Sequence, residues 1–275
     1  MSTPDIWDMV SSNPVARAAC LRGKEYLKNA DYENAIKEFT EVIRIDPDFA
    51  DGWYKRGWAY NNSDDYDNAI KDCTEAIRLD PGYVHAYVIR AGAYYENRDY
   101  ENTIKDCTEA IRLHPEYSVA FYFRAQAYYH TGDYDNAIKD HTERVRLNPG
   151  SGIYCTRGMA YVDMELYEDA ISDFTKAIEL EPCDFLNWYW RGYAYSKIER
   201  YEDAISDFTE AIKLNPADAS VYAERGHAYR HWNRPNNAIE DFEMALILEP
   251  ENEYARAVLR ELLGDGGSTT NSVVQ

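Results

Sequence analysis

Residues 50–83, ADGWYKRGWAYNNSDDYDNAIKDCTEAIRLDPGY, decide the fold, because their skeleton returns at one interval along the chain. Pro47, Pro81, Pro115, Pro149, Pro182, Pro216 and Pro250 are spaced by 34, 34, 34, 33, 34 and 34 residues. With this proline numbered position 32 of the unit, seven copies cover 16–49, 50–83, 84–117, 118–150, 151–184, 185–218 and 219–252. A period of this length predicts one continuous array in which each copy buries its apolar face against its neighbours.

Positions 4, 8 and 11 of each copy have the spacing of one helix face. Position 4 is aromatic from the second copy on (Trp53, Tyr87, Phe121, Tyr154, Trp188, Tyr222), and position 11 is Tyr throughout, from Tyr26 to Tyr229. Between them, position 8 is small (Gly23, Gly57, Gly158, Gly192, Gly226), which lets a second helix approach closely. The pattern breaks at Asp31, Asp65, Asp99 and Asp133, each placed to cap a second helix with an acidic first turn. That helix carries Ile at position 21 in every copy, from Ile36 to Ile239, and ends before the position-32 proline. Pro235 replaces the position-17 Tyr of the other copies, but in a first helical turn its missing N–H costs little.

An aromatic at 4, small residues at 8, 20 and 27, Tyr at 11, an aromatic at 24 in several copies and Pro at 32 resemble the tetratricopeptide repeat over residues 16–252. The resemblance implies an all-α fold, a right-handed superhelical solenoid of antiparallel helix pairs. Residues 253–263, with Tyr254, Val258, Leu259 and Leu262 on one stripe, then read as the capping helix of the array. Residues 1–15 read as an N-terminal arm with a short helix started by Thr3-Pro4-Asp5, and 264–275 as a flexible tail with too little apolar surface to order. One junction departs from the rest: a residue is missing in Pro149-Gly150-Ser151-Gly152, and Arg144 stands at position 27, where other copies have Ala or Val. There the stacking of copy five on copy four is open to change, unless Arg144 reaches out to solvent and nothing moves.

With 49 acidic and 29 basic side chains the net charge is -20, which repels a phosphate backbone, so nucleic acid is not an expected partner. Five cysteines without a CxxC pair, and a start (MSTPDIWDMV) without a basic and apolar leader, fit reduced thiols and a cytoplasmic location. No run approaches the roughly 18 apolar residues that a membrane span needs. No nucleotide loop, HExxH or nucleophile elbow occurs, so the chain reads as non-enzymatic and without a cofactor.

Arg stands at position 7 of every copy and an acid at position 23, a pairing that reads as a frame holding helix register rather than as an anion-binding ladder. Cys73, Cys107 and His141, at the position where other copies have Phe, read as core residues. Glu224, His227 and His231 share a helix face, a candidate for a metal site that lacks a fourth ligand.

Positions 2, 5, 6, 9, 12 and 13 of the first helices form a second stripe, which the resemblance assigns to a concave groove for partner segments. Its candidate binding residues are Lys24, Lys28, Tyr54, Lys55, Trp58, Ile89, Tyr95, Tyr122, Phe123, Gln126, Tyr129, Met159, Tyr189, Trp190 and Tyr193. Along the whole stripe six basic side chains face four acidic ones, a balance near +2 within an acidic protein. The carboxylate clamp by which some family members hold chaperone tails does not fit, since its positions here are Cys20, Lys24, Lys55, His85 and Ile89. The chain therefore reads as a scaffold that binds an extended peptide or helix of another protein through aromatic and basic residues. The alternative is a self-assembling homo-oligomer, or a groove filled by the protein's own N-terminal arm.

Overall fold

The computed structural model describes residues 11–264, and all regular structure among them is α-helical. The arm helix expected near Thr3-Pro4-Asp5 and the tail after 264 lie outside the described residues. The helices are α1 (Pro14–Lys28), α2 (Tyr32–Ile45), α3 (Ala50–Asn62), α4 (Tyr66–Leu79), α5 (Val84–Glu96), α6 (Tyr100–Leu113), α7 (Ser118–His130) and α8 (Tyr134–Leu147). They continue as α9 (Ser151–Asp163), α10 (Tyr167–Leu180), α11 (Phe185–Lys197), α12 (Tyr201–Leu214), α13 (Ala219–His231), α14 (Pro235–Leu248) and α15 (Glu253–Leu263). Two compact units part between Asn148 and Pro149, at the shortened junction. The first holds the four antiparallel pairs α1 to α8; the second holds three pairs and the capping helix α15. Within each unit every helix packs on its partner, and the second helix of a pair packs on the first helix of the next.

Each pair turns over at position 15, where the backbone is left-handed in all seven copies: Ala30, Asp64, Arg98, Gly132, Glu165, Glu199 and Asn233 have φ of 56–78°. Only one of these is glycine, so the turn is imposed on residues that disfavour it. The next residue starts the second helix. Asp31, Asp65, Asp99 and Asp133 cap it through the backbone N–H of Asn34, Asn68, Asn102 and Asn136. Leu166, Arg200 and Arg234 hold the same place in the second unit and make no side-chain cap. Pro235 sits in the first turn of α14, where no N–H is needed.

The pair closes where position 8 meets position 24. Phe39, Phe174, Phe208 and Phe242 are fully buried against Gly23, Gly158, Gly192 and Gly226. A Cβ on Gly158 would lie 2.8 Å from the Phe174 ring. Cys107 and His141 take the Phe position in the third and fourth copies and are buried, and there position 8 is Ala91 and Ala125.

Across the same interface, the position-7 arginines form forked ion pairs with the position-23 acids. Arg56–Asp72, Arg90–Asp106, Arg124–Asp140, Arg157–Asp173, Arg191–Asp207 and Arg225–Asp241 pair at 2.7–2.8 Å. Five of them also donate to a threonine of the preceding copy, as Arg191 does to Thr175 at 3.1 Å, so one guanidinium ties three helices. The position-4 aromatic stacks on the same group, Trp188 with Arg191 at 5.1 Å, while the Trp188 indole N–H donates to the Pro182 carbonyl at 2.9 Å. The recurring proline therefore marks a carbonyl that anchors the next copy.

Candidate functional site

The first helices of each unit carry the residues expected to face a partner. In the first unit, Tyr95 of α5 and Tyr122 and Phe123 of α7 form a connected, half-buried aromatic set. Phe123 lies 6.0 Å from Tyr95 and 5.2 Å from Tyr122, centroid to centroid. It can approach because Gly92 stands opposite: a Cβ there would be 3.2 Å from its ring. Tyr95 is fixed further by its hydroxyl, 2.9 Å from His130 Nε2. Tyr129 packs edge-on to Tyr134, Gln126 is half-buried, and Ile89 joins the Tyr54 and Tyr83 cluster. Arg144 does not reach out to solvent. It is half-buried, bonded to His141 Nδ1 at 3.1 Å and laid over the Tyr122 ring at 4.8 Å, and burial pushes its pKa down.

The basic residues near the N-terminal end differ from expectation. Lys55 is 2% exposed and paired with Asp51 at 3.0 Å, Lys24 is 7% exposed and Tyr54 6%. Asp51 and Lys55 stand one turn apart on α3, and the Tyr83 hydroxyl donates to Asp51 at 2.6 Å, so this charge is consumed inside the protein. Trp58 is half-buried, edge-on to Tyr32. Of the lysines expected to anchor a partner here, Lys28 alone is exposed, with Glu25 at 4.0 Å. The Asp51–Lys55 spacing was a readable signal, since an i,i+4 pair of opposite charges shares a face.

In the second unit, Tyr189, Trp190 and Tyr193 of α11 form an edge-to-face chain, with centroids 5.3 Å and 5.7 Å apart. Met159 of α9, Trp190 and Tyr193 rest on the core around Val162 and Phe174. Lys197 lies 4.8 Å over the Tyr193 ring, and Tyr193 is the main cause that pushes its pKa up. On α13, Glu224 is mostly withdrawn from solvent and has no hydrogen-bond or ion-pair partner among the described residues; burial pushes its pKa up. One turn on, His227 Nδ1 is buried without a partner, and the pKa of His227 is pushed down to about 4, first by burial and then by His231, whose ring is 4.4 Å away. Arg230 is tied to Glu261 of α15 at 2.6 Å, and His231 stacks on Tyr201. Among the described residues no three His, Cys, Asp or Glu side chains converge as metal ligands would, Glu224, His227 and His231 included. Lys197 of α11, which the stripe includes, lies close to Glu224, as does Tyr254 of the capping helix, which was not among the expected binding residues because spacing along one helix gives no sign of what a neighbouring helix brings.

Helix pairs stacked in tandem, each touching only its neighbours, define an α-helical repeat protein. The chain belongs to the tetratricopeptide repeat family: family models match residues 23–64, 50–83, 90–151, 151–182, 187–218 and 219–252. No curated protein matches it. Among solved structures, the C-terminal part of a TPR repeat-containing protein from Cytophaga hutchinsonii is similar at 19% identity and a TM-score of 0.73, over 87% of this chain and 98% of that one. A tetratricopeptide repeat protein from Parabacteroides merdae aligns at 17% identity and a TM-score of 0.64, over 92% of this chain and 100% of that one. YrrB, described as a TPR protein with an unusual peptide-binding site, aligns at 19% identity and a TM-score of 0.61, over 68% of this chain and 96% of its own. At these identities the likeness shows the fold alone. No helix among the described residues is long and apolar enough to cross a membrane.

Proposed function

We propose that the protein is a non-enzymatic scaffold that holds an extended or helical segment of a partner protein against the first helices of its repeats. The observation that carries this reading is the surplus of aromatic rings. Phe39, Phe174, Phe208 and Phe242 fill the pair interfaces, and the position-4 and position-11 rings flank the arginine ladder. Tyr95, Tyr122 and Phe123 in one unit, and Trp190 and Tyr193 in the other, are a further set, half-buried on another face of the same helices. Rings held this way expose apolar area at little entropic cost, which is what anchors an interface. The peptide-binding site that the YrrB structure is described as having is consistent with such a use of the fold. Basic residues contribute less than the sequence suggests, because Lys24 and Lys55 are buried. The five cysteines are unpaired, which suits a reducing, cytoplasmic setting.

The test compares wild type with the double variant Tyr122→Ala, Trp190→Ala in a pull-down read by mass spectrometry. The variant is expected to keep its helical circular dichroism and to lose the captured partner, since truncating an anchor of this kind costs roughly 2 kcal/mol or more. Retention of every partner by the folded variant rejects the reading. A change of mass in light scattering, without loss of any partner, points instead to self-association through these rings.

A further inference from the structure

Two polar groups on α13 have no partner among the described residues. Glu224 is the only acid on its stretch of the helix, mostly withdrawn from solvent, and makes no hydrogen bond or ion pair. His227 Nδ1 is buried and unbonded one turn further on the same face, where side chains stand roughly 5–6 Å apart. A withdrawn carboxylate without a donor is costly, and native proteins pair such groups or use them. The nearby cations are turned elsewhere: Arg230 donates to Glu261 at 2.6 Å, and the Lys197 ammonium lies 4.8 Å over the Tyr193 ring.

We propose that Glu224, with His227 beside it, seats a basic side chain, arginine or lysine, of the partner segment. The inference rests on the groove reading above and specifies what that segment must carry. An ionised carboxylate only accepts, and a guanidinium offers several donors in a planar fork that matches the two oxygens of Glu224, while the neutral His227 ring beside it adds no opposing charge. Tyr189 and Tyr254 stand close to Glu224, and aromatic faces favour a cation over an anion. Lys197 opposes a second cation, but it is exposed, with its ammonium over the Tyr193 ring and nearer to water than Glu224 is. The net charge of -20 also draws basic segments toward the protein and repels acidic ones.

Five peptide pools with random flanks and a fixed central Arg, Lys, Gln, Leu or Glu, titrated against the full chain, test this. Wild type is expected to bind the Arg and Lys pools about tenfold more tightly than the Gln pool, the margin of one charge-assisted hydrogen bond, with the Glu pool weakest. Glu224→Gln, which keeps shape and fold, is expected to remove that preference and leave the Gln pool unchanged. Tightest binding of the Glu pool, or a basic preference that survives in Glu224→Gln, overturns the assignment. Pools that bind through Trp190, shown by loss in Trp190→Ala, but without a basic preference overturn this inference alone. Absence of binding by every pool, or binding that Trp190→Ala leaves untouched, overturns the groove reading with it.

Discussion

At the scale of single residues, the repeat uses the same chemistry unevenly. Four second helices are preceded by an aspartate whose carboxylate accepts the N–H three residues on; α10 is preceded by Leu166, whose side chain accepts nothing and which is 41% exposed. The first turn of α10 therefore leaves to water a donor that Asp133 satisfies in α8. Leu166→Asn supplies the acceptor without adding charge beside Glu168 and Asp169 and is expected to stabilise the protein by about 1 kcal/mol. Urea denaturation at fixed m-value reads the gain, and an unchanged midpoint means that the α10 start is not limiting. The left-handed residue just before the cap shows how far a turn can hide: Ala30, Arg98, Glu165 and Glu199 adopt φ near 60° although nothing in their chemistry announces it.

At the scale of the helix pair, the contact between positions 8 and 24 is a size match. Phe174 reaches so close to α9 that only glycine fits at 158; Cys107 and His141 stand opposite Ala91 and Ala125, while in the second copy a Cβ on Gly57 would lie 2.9 Å from Cys73 Sγ. Gly158→Ala is expected to cost about 2 kcal/mol by overpacking, despite the better helix propensity of alanine. The same change combined with Phe174→Cys, which recreates the third copy's Ala91 and Cys107 pairing, removes the clash and is expected to show a positive coupling in a double-mutant cycle. Strict additivity of the two changes refutes the size match. The arginine ladder adds direction to this packing. Burial pushes the Asp207 carboxyl up, opposed by the Arg191 fork, so the pair contributes register more than net stability.

At the scale of the whole molecule, stacked pairs that touch only their neighbours transmit damage locally. Arg191→Ala leaves Asp207 buried and uncompensated and frees Thr175, a loss of about 3 kcal/mol. With the break between Asn148 and Pro149, the loss is expected to stay in the second unit. Hydrogen exchange by mass spectrometry then shows faster exchange across α9 to α15 and unchanged protection in α1 to α8. An equal loss of protection in both units means that the chain unfolds as one cooperative body.

The amino-acid sequence by itself determined the helix pairs, the capping helix, the arginine frame and the buried Cys73, Cys107 and His141. A period repeated seven times makes each copy's surroundings the same as its neighbour's, so spacing within one copy already specifies contacts between copies. The candidate site was legible only as a face. Position within a helix says which side a residue is on, which put Tyr95, Tyr122, Phe123, Tyr189, Trp190 and Tyr193 on one stripe of the first helices. Tertiary structure decided which of those side chains remain available. Lys55 is lost to Asp51 and Tyr83, Lys24 is buried, and Glu224 is left without a donor while Lys197 and Arg230 turn to Tyr193 and Glu261. The physical reason is that burial and pairing belong to the groups that neighbouring helices bring together, and these differ from copy to copy even where the repeat does not.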